Sequence, residues 1–225
     1  MNPKCNRSMI RLQFETDNKG GLDILCLGAH CDDIEIGCGG ALLKLLEAYP
    51  VRHLKWVVFA SDARRKQEAI RSAEAFLEGV ESREITVLEY RDAHLPYFAE
   101  EIKAHFEAIK KGFNPNLVFT HYREDRHQDH RLLSDLAWNT FRNHLILEYE
   151  IPKYDGDLGI PNCFVHLTEE QARRKVELLL NCFASQREKH WFDRETFLAL
   201  LRIRGMESAS PTRYAEAFHL RKMVL

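Results

Sequence analysis

No stretch of this chain approaches the roughly 18 consecutive apolar residues that a membrane-crossing helix needs, although 45% of its 225 residues are hydrophobic. The apolar content is therefore assigned to a folded interior, and no stable membrane insertion is expected. Charge of one sign is also missing. The 32 basic and 34 acidic residues leave a formal charge of −2, which gives neither a basic field for nucleic acid nor an acidic tail. Six cysteines stand at 5, 26, 31, 38, 163 and 182, yet none forms a C-x-x-C pair. No disulfide framework is expected, and Cys26, Cys163 and Cys182 read as small buried hydrophobes. The first twenty residues lack the apolar core of a signal peptide, so a cytoplasmic protein is expected. Repeats, low-complexity tracts and long linkers are absent too. The expectation is one domain, 1–225, of a size that buries roughly 70% of its unfolded surface.

What is present alternates. Short apolar runs at 23–28, 54–60, 85–89 and 117–121 read as strands. Helical spacing follows each of them, at 41–48, 64–77, 100–111 and about 131–141. Strands alternating with helices of ten to fifteen residues predict βαβ units. The fold class is thus α/β, a Rossmann-like, mostly parallel sheet with helices on both faces. The last third is less regular: strands at 145–149 and 163–166 flank a loop rich in Pro and Gly. A helix at 169–183 starts from an N-cap at Thr168, a second spans 194–204, and a strand at 214–224 closes a C-terminal elaboration.

Two polar segments follow predicted strands: Gly28-Ala29-His30-Cys31-Asp32-Asp33 and His121-Tyr122-Arg123-Glu124-Asp125-Arg126-His127-Gln128-Asp129-His130. In open parallel sheets ligands bind beyond the carboxyl ends of the strands, so both segments would meet there. Histidines and aspartates gathered in this way are a zinc inventory. Catalytic zinc takes three such ligands and keeps a fourth position for water. A neighbouring carboxylate can then take the water's proton, and a His can stabilise an oxyanion or protonate the leaving group. The same ligand types also suit Fe2+ or Co2+. Gly37, Gly39 and Gly40 follow Asp-Asp-Ile-Glu-Ile without the G-x-G-x-x-G order of a dinucleotide loop. They read as close backbone approach at a helix start, after a polar turn. Trp138 and Trp191 lie at helical apolar positions and read as core.

Ala29-His30-Cys31-Asp32-Asp33, followed by Gly39-Gly40 and by His127-Gln128-Asp129-His130, resembles the PIG-L/LmbE-type N-acetylglucosaminyl deacetylases. Weaker matches at Arg65-x-x-Glu68, Asp92 and Tyr214-Ala215-Glu216-Ala217-Phe218 extend the resemblance from about Asp23 onward. It implies His30, Asp33 and His130 as zinc ligands and Asp32 as general base. It further implies that His127 stabilises the oxyanion and assists the leaving amine, with Asp129 holding the His127 imidazole. Cys31 stands where the family carries proline. Arg65, Asp92 and Asp125 are candidate substrate contacts.

The function this implies is metal-dependent removal of an N-acetyl group from an amino sugar or glycoconjugate, by an enzyme that can form homo-oligomers. The alternatives are a zinc amidase acting on a non-sugar acetylated amine, a non-catalytic metal or ligand module, and a nucleotide-dependent transferase.

Overall fold

A computed structural model describes residues 12–14 and 20–224. Cys5 lies outside them. Seven strands form one sheet in the order β3-β2-β1-β4-β5-β7-β6. The strands are β1 (Leu22–Gly28), β2 (Val51–Ala60), β3 (Arg83–Tyr90), β4 (Leu117–His121), β5 (Leu145–Tyr149), β6 (Cys163–Leu167) and β7 (Tyr214–His219). The first five run parallel, while β7 is antiparallel to β5 and β6 antiparallel to β7. The helices are α1 (Asp33–Ala48), α2 (Ala63–Phe76), α3 (Ala99–Gly112), α4 (Gln128–Thr140), α5 (Glu169–Cys182) and α6 (Arg194–Glu207). The mixed α/β, mostly parallel architecture read from the alternation is the one observed.

Period-two strands explain the layering. Ile24, Cys26, Trp56, Val58 and Phe119 face one way, into a core closed by Leu42 of α1, Phe76 of α2 and Leu179 of α5. Leu25, Leu27, Val57, Phe59 and Val118 face the other way, against Phe106 of α3 and Leu133 of α4. Both faces are therefore covered, as a parallel sheet requires. Among the described residues no helix is long and apolar enough to cross a membrane, and the cysteines at 26, 31, 38, 163 and 182 are free.

Helix α1 departs from its sequence reading. The glycines read as close backbone approach at the helix start lie well inside it, because it begins earlier, at Asp33. A Cβ on Gly37 would come 2.1 Å from the Tyr149 ring, one on Gly39 2.7 Å from Phe76, and one on Gly40 2.5 Å from Leu167. These residues are glycine because neighbours press on the helix, and low propensity is the cost. At the other end of the chain β7 stops at His219, well short of 224. Its Glu216 side chain is buried and accepts from the backbone N–H groups of Gly40 (2.7 Å) and Ala41 (2.6 Å), while Lys175 of α5 pairs with it at 2.6 Å. The C-terminal elaboration thus holds the helix that begins at the polar His-Cys-Asp-Asp turn. The N-cap read at Thr168 is present, and Gln171 completes a capping box there.

Candidate metal centre and active site

Strand order reverses between β1 and β4, so the crevice beyond their carboxyl ends is the sheet's switch point. Both polar segments emerge there. After β1 the backbone is pinned from two sides: Ala29 N–H donates to His121 Nε2 (2.9 Å), and Ala29 C=O accepts from Ala60 N–H (2.7 Å). The turn into α1 is closed by Asp33 Oδ2, which accepts from His30 N–H at 2.6 Å. Asp32 occupies the N-cap position yet makes no capping bond, which leaves its carboxylate free to face the crevice. After β4, Asp125 Oδ1 accepts from His127 N–H (2.8 Å). His127 caps α4 through Nδ1, which accepts from Asp129 N–H (3.3 Å), and α4's first turn delivers Asp129 and His130.

Three atoms form a tight triangle. His30 Nδ1 lies 3.1 Å from His130 Nε2 and 3.2 Å from Asp33 Oδ2, and His130 Nε2 lies 3.5 Å from that oxygen. Tetrahedral ligands at zinc's usual ~2.0–2.1 Å would be separated by roughly 3.3–3.4 Å. Two imidazoles and a carboxylate at this spacing fit a divalent ion of that kind. All three residues are buried, as is Asp32, which stands outside the triangle. Three other donor sets lie within reach of an ion: His30, His127 and His130; Asp33, His121 and His130; and His30, Asp92, His127 and Asp129.

Burial and neighbours separate the titratable groups. Burial raises the Asp32 carboxyl, although Arg65 opposes it with a 2.7 Å bond from Nη2 to Oδ1. Burial acts on Asp33 in the same direction, yet the imidazoles of His130, His30 and His121 outweigh it and hold Asp33 well below the usual carboxylate range. His130 is pushed down to about 3 by burial, then by the charge at His121. Burial also disfavours charged His30, but Asp33, Asp129 and Asp92 overcome it and raise its pKa well above the ordinary value. His127 is lowered, first by burial and then by His30. Because its Nδ1 accepts a backbone bond, neutral His127 carries its proton on Nε2.

The structure brings most of the sequence candidates together. Arg65 bridges Asp32 and Asp92, the latter at 3.4 Å, and Asp92 Oδ1 reaches His30 Nε2 at 3.0 Å. The Asp92 side chain is 59% exposed, so it borders the opening. Two assignments move. The Asp129 carboxylate does not hold His127. Its Oδ2 faces His30 Nε2 (3.2 Å) and its Oδ1 accepts from Leu95 N–H (3.0 Å). Asp125, expected near substrate, is 2% exposed and saturated: Oδ2 bonds His130 Nδ1 (2.9 Å) and Lys153 Nζ (2.8 Å). The Cys31 sulfur points to Ala60 C=O at 3.5 Å.

Sequence reasoning passed over His121, although it opened the second segment. Fully buried, it stacks on His130 with centroids 3.9 Å apart, and its Nε2 lies 3.2 Å from Asp33 Oδ2. Its place as the last residue of an apolar strand was the available signal. Lys153, and Lys189 whose charge acts on Asp32, carried none. The two tryptophans read as core are only partly buried and pack against its edge: Trp138 lies under Arg221, and Trp191 is edge-on to Phe192.

The chain is similar to known proteins in sequence and in fold. Residues 25–141, just over half of the chain, match the model of the PIG-L family, described as GlcNAc-PI de-N-acetylase. Among solved structures, the N,N'-diacetylchitobiose deacetylase from Pyrococcus horikoshii is similar, with 24% identity and a TM-score of 0.67, over 92% of this chain and 87% of the other. GalB, the 4-carboxy-2-hydroxymuconate hydratase from Pseudomonas putida KT2440, shares 16% identity with a TM-score of 0.68, over 91% and 98%. Teicoplanin deacetylase Orf2 shares 14% with a TM-score of 0.67, over 90% and 100%. At these identities the structural likeness speaks for the fold alone. With both motif segments meeting at the switch point and residues 25–141 matched, the chain belongs to the PIG-L family of de-N-acetylases.

Proposed function

We propose that this protein is a metal-dependent hydrolase that removes the acetyl group from an N-acetylated amino sugar or its conjugate, with zinc as the preferred ion. Family membership supports a deacetylase. The observation that carries the metal reading is the 3.1–3.5 Å triangle of His30 Nδ1, Asp33 Oδ2 and His130 Nε2, with the buried carboxylate of Asp32 outside it. Zinc, when bound, supplies a Lewis acid that polarises a carbonyl and makes hydroxide available near neutral pH.

The chain's own residues supply the remaining chemistry. Asp32, raised by burial, takes a proton from the attacking water, and its bond to Arg65 keeps the carboxylate aimed. His127 Nε2–H donates to the carbonyl oxygen as negative charge develops on it. The C–N bond then breaks, and the proton held by Asp32 passes to the departing nitrogen, so amide and water yield acetate and a free amine. Asp92, at the opening, is placed to accept a bond from a sugar hydroxyl.

The test is acetate release from N-acetylglucosamine, N,N'-diacetylchitobiose and glycoconjugates, set against acetylated non-sugar amines, with metal-loaded protein. Turnover of the sugars supports the reading. Turnover of the non-sugar amines alone would move the protein to a general amidase. No acetate from any of them, despite bound metal, would favour another chemistry on this fold, such as hydration.

A further inference from the structure

We infer that Lys153 is a positioning residue for the metal centre, acting through Asp125 on His130. The inference rests on His130 being a ligand, as proposed above. An imidazole that binds a metal through Nε2 carries its proton on Nδ1, and the acceptor of that proton fixes both ring orientation and donor strength. Here the acceptor is Asp125 Oδ2 at 2.9 Å, and the same oxygen takes Lys153 Nζ at 2.8 Å. Lys153 also pairs with Asp157 at 2.7 Å, and Asp157 Oδ2 in turn accepts from Arg126 N–H at 2.6 Å. The loop between β5 and β6 is thereby clasped, at Asp125 and Arg126, to the loop that leads into α4.

A lysine is needed there on electrostatic grounds. Asp125 is 2% exposed, and its Oδ2 bonds both His130 Nδ1 and Lys153 Nζ. A buried anion with only the imidazole for a partner would be costly, and it would draw the Nδ1 proton toward itself. Lys153 divides that charge, so Asp125 orients the ring and His130 stays a neutral ligand. His30 is served in the same way: its Nε2 faces Asp92, which Arg65 balances. Five carboxylates (Asp32, Asp33, Asp92, Asp125, Asp129) surround the centre, and Arg65 and Lys153 are the cations bonded to them. Lys153 is not placed for substrate. Its side chain is 11% exposed, and both of its described partners are carboxylates.

The test compares wild type with K153M, K153R and D157N. Three quantities are read: metal affinity by chelator competition, the visible absorption of the cobalt-loaded protein, and kcat and KM separately. K153M should weaken metal binding or lower kcat by about 10- to 100-fold and alter the cobalt bands, with KM within about twofold of wild type. K153R should recover most of the loss. D157N, which keeps the lysine on Asp125, should be intermediate, so the inference survives should K153M misfold. Wild-type metal affinity, bands and kcat in K153M would overturn it, and a rise in KM alone would make Lys153 a substrate contact instead. Wild-type protein that takes up no metal would sink the metal reading itself, a different failure.

Discussion

Asp32 and Asp33 are adjacent and equally buried, yet their surroundings give them opposite roles. Three imidazoles crowd Asp33 and keep it ionised, while burial lifts Asp32 against the opposing charges of Arg65, Lys189 and His30. Asp32→Asn should therefore retain its metal and lose about 10²–10⁴ in kcat, whereas His30→Ala should lose the metal. Elemental analysis and acetate release on the same preparations check both, and a metal-free D32N would show that the roles are misassigned. A pH dependence follows from the same cluster. Without metal, His30 is held protonated above its ordinary pKa, and a metal needs the lone pair that this proton occupies. Metal affinity should accordingly rise with pH, by up to about tenfold per unit while the pH stays below the His30 pKa, and level off above it. Zinc titrations at pH 6, 7 and 8 in buffers of differing ionisation enthalpy would count the released proton, and a flat affinity would contradict the assignment. The motif residues were legible because metal chemistry restricts residue type and spacing. Lys153 and the true partner of Asp129 were not, because a hydrogen bond from a separate loop leaves no periodic or spaced signal.

At the scale of elements, α1 is where sequence and structure diverge most. Three glycines within four residues look like a turn by propensity, and tertiary packing overrides that. Tyr149 lies against Gly37 while its hydroxyl donates to Leu27 C=O at 2.6 Å, tying β5 to β1 just below the metal loop. Gly37→Ala would drive a methyl into that ring. It should destabilise the fold by about 2–3 kcal/mol or more and weaken metal binding, since Asp33 opens the same helix. Gly112→Ala is the control. Gly112 ends α3 with no atom within 4 Å of where a methyl would stand, so it should be neutral or gain up to about 1 kcal/mol. Urea unfolding of the two variants separates packing from propensity, and a Gly37→Ala protein as stable as wild type would refute the packing account. The βαβ elements were readable because a parallel strand buried on both faces is a plain apolar run. Glu216 gives no such pattern, since its value lies in meeting α1 from the far end of the chain.

At the scale of the molecule, the centre joins two halves of a sheet that otherwise meet along β1 and β4. His30 and Asp33 come from the β1–α1 side, and His130 comes from the β4–α4 side. Bringing these groups together in a buried crevice without an ion gathers anions and crowded imidazoles, which Arg65, Lys153 and a shared proton help to offset. An ion that binds the folded chain alone stabilises it by RT ln(1 + [L]/Kd), about 2.7 kcal/mol at a hundredfold excess over Kd. In a chain of 225 residues each kcal/mol moves Tm by roughly 2–4 °C. Saturating zinc should thus raise Tm by about 5–10 °C, chelation should reverse the gain, and the shift should grow with the logarithm of free zinc. Melting curves across a buffered zinc series test this, with His130→Ala as the comparison. That variant removes the ligand proposed on the β4 side, so its Tm should no longer follow zinc. If it followed zinc as the wild type does, the ion would be bound elsewhere, and the two halves of the sheet would not be joined through it.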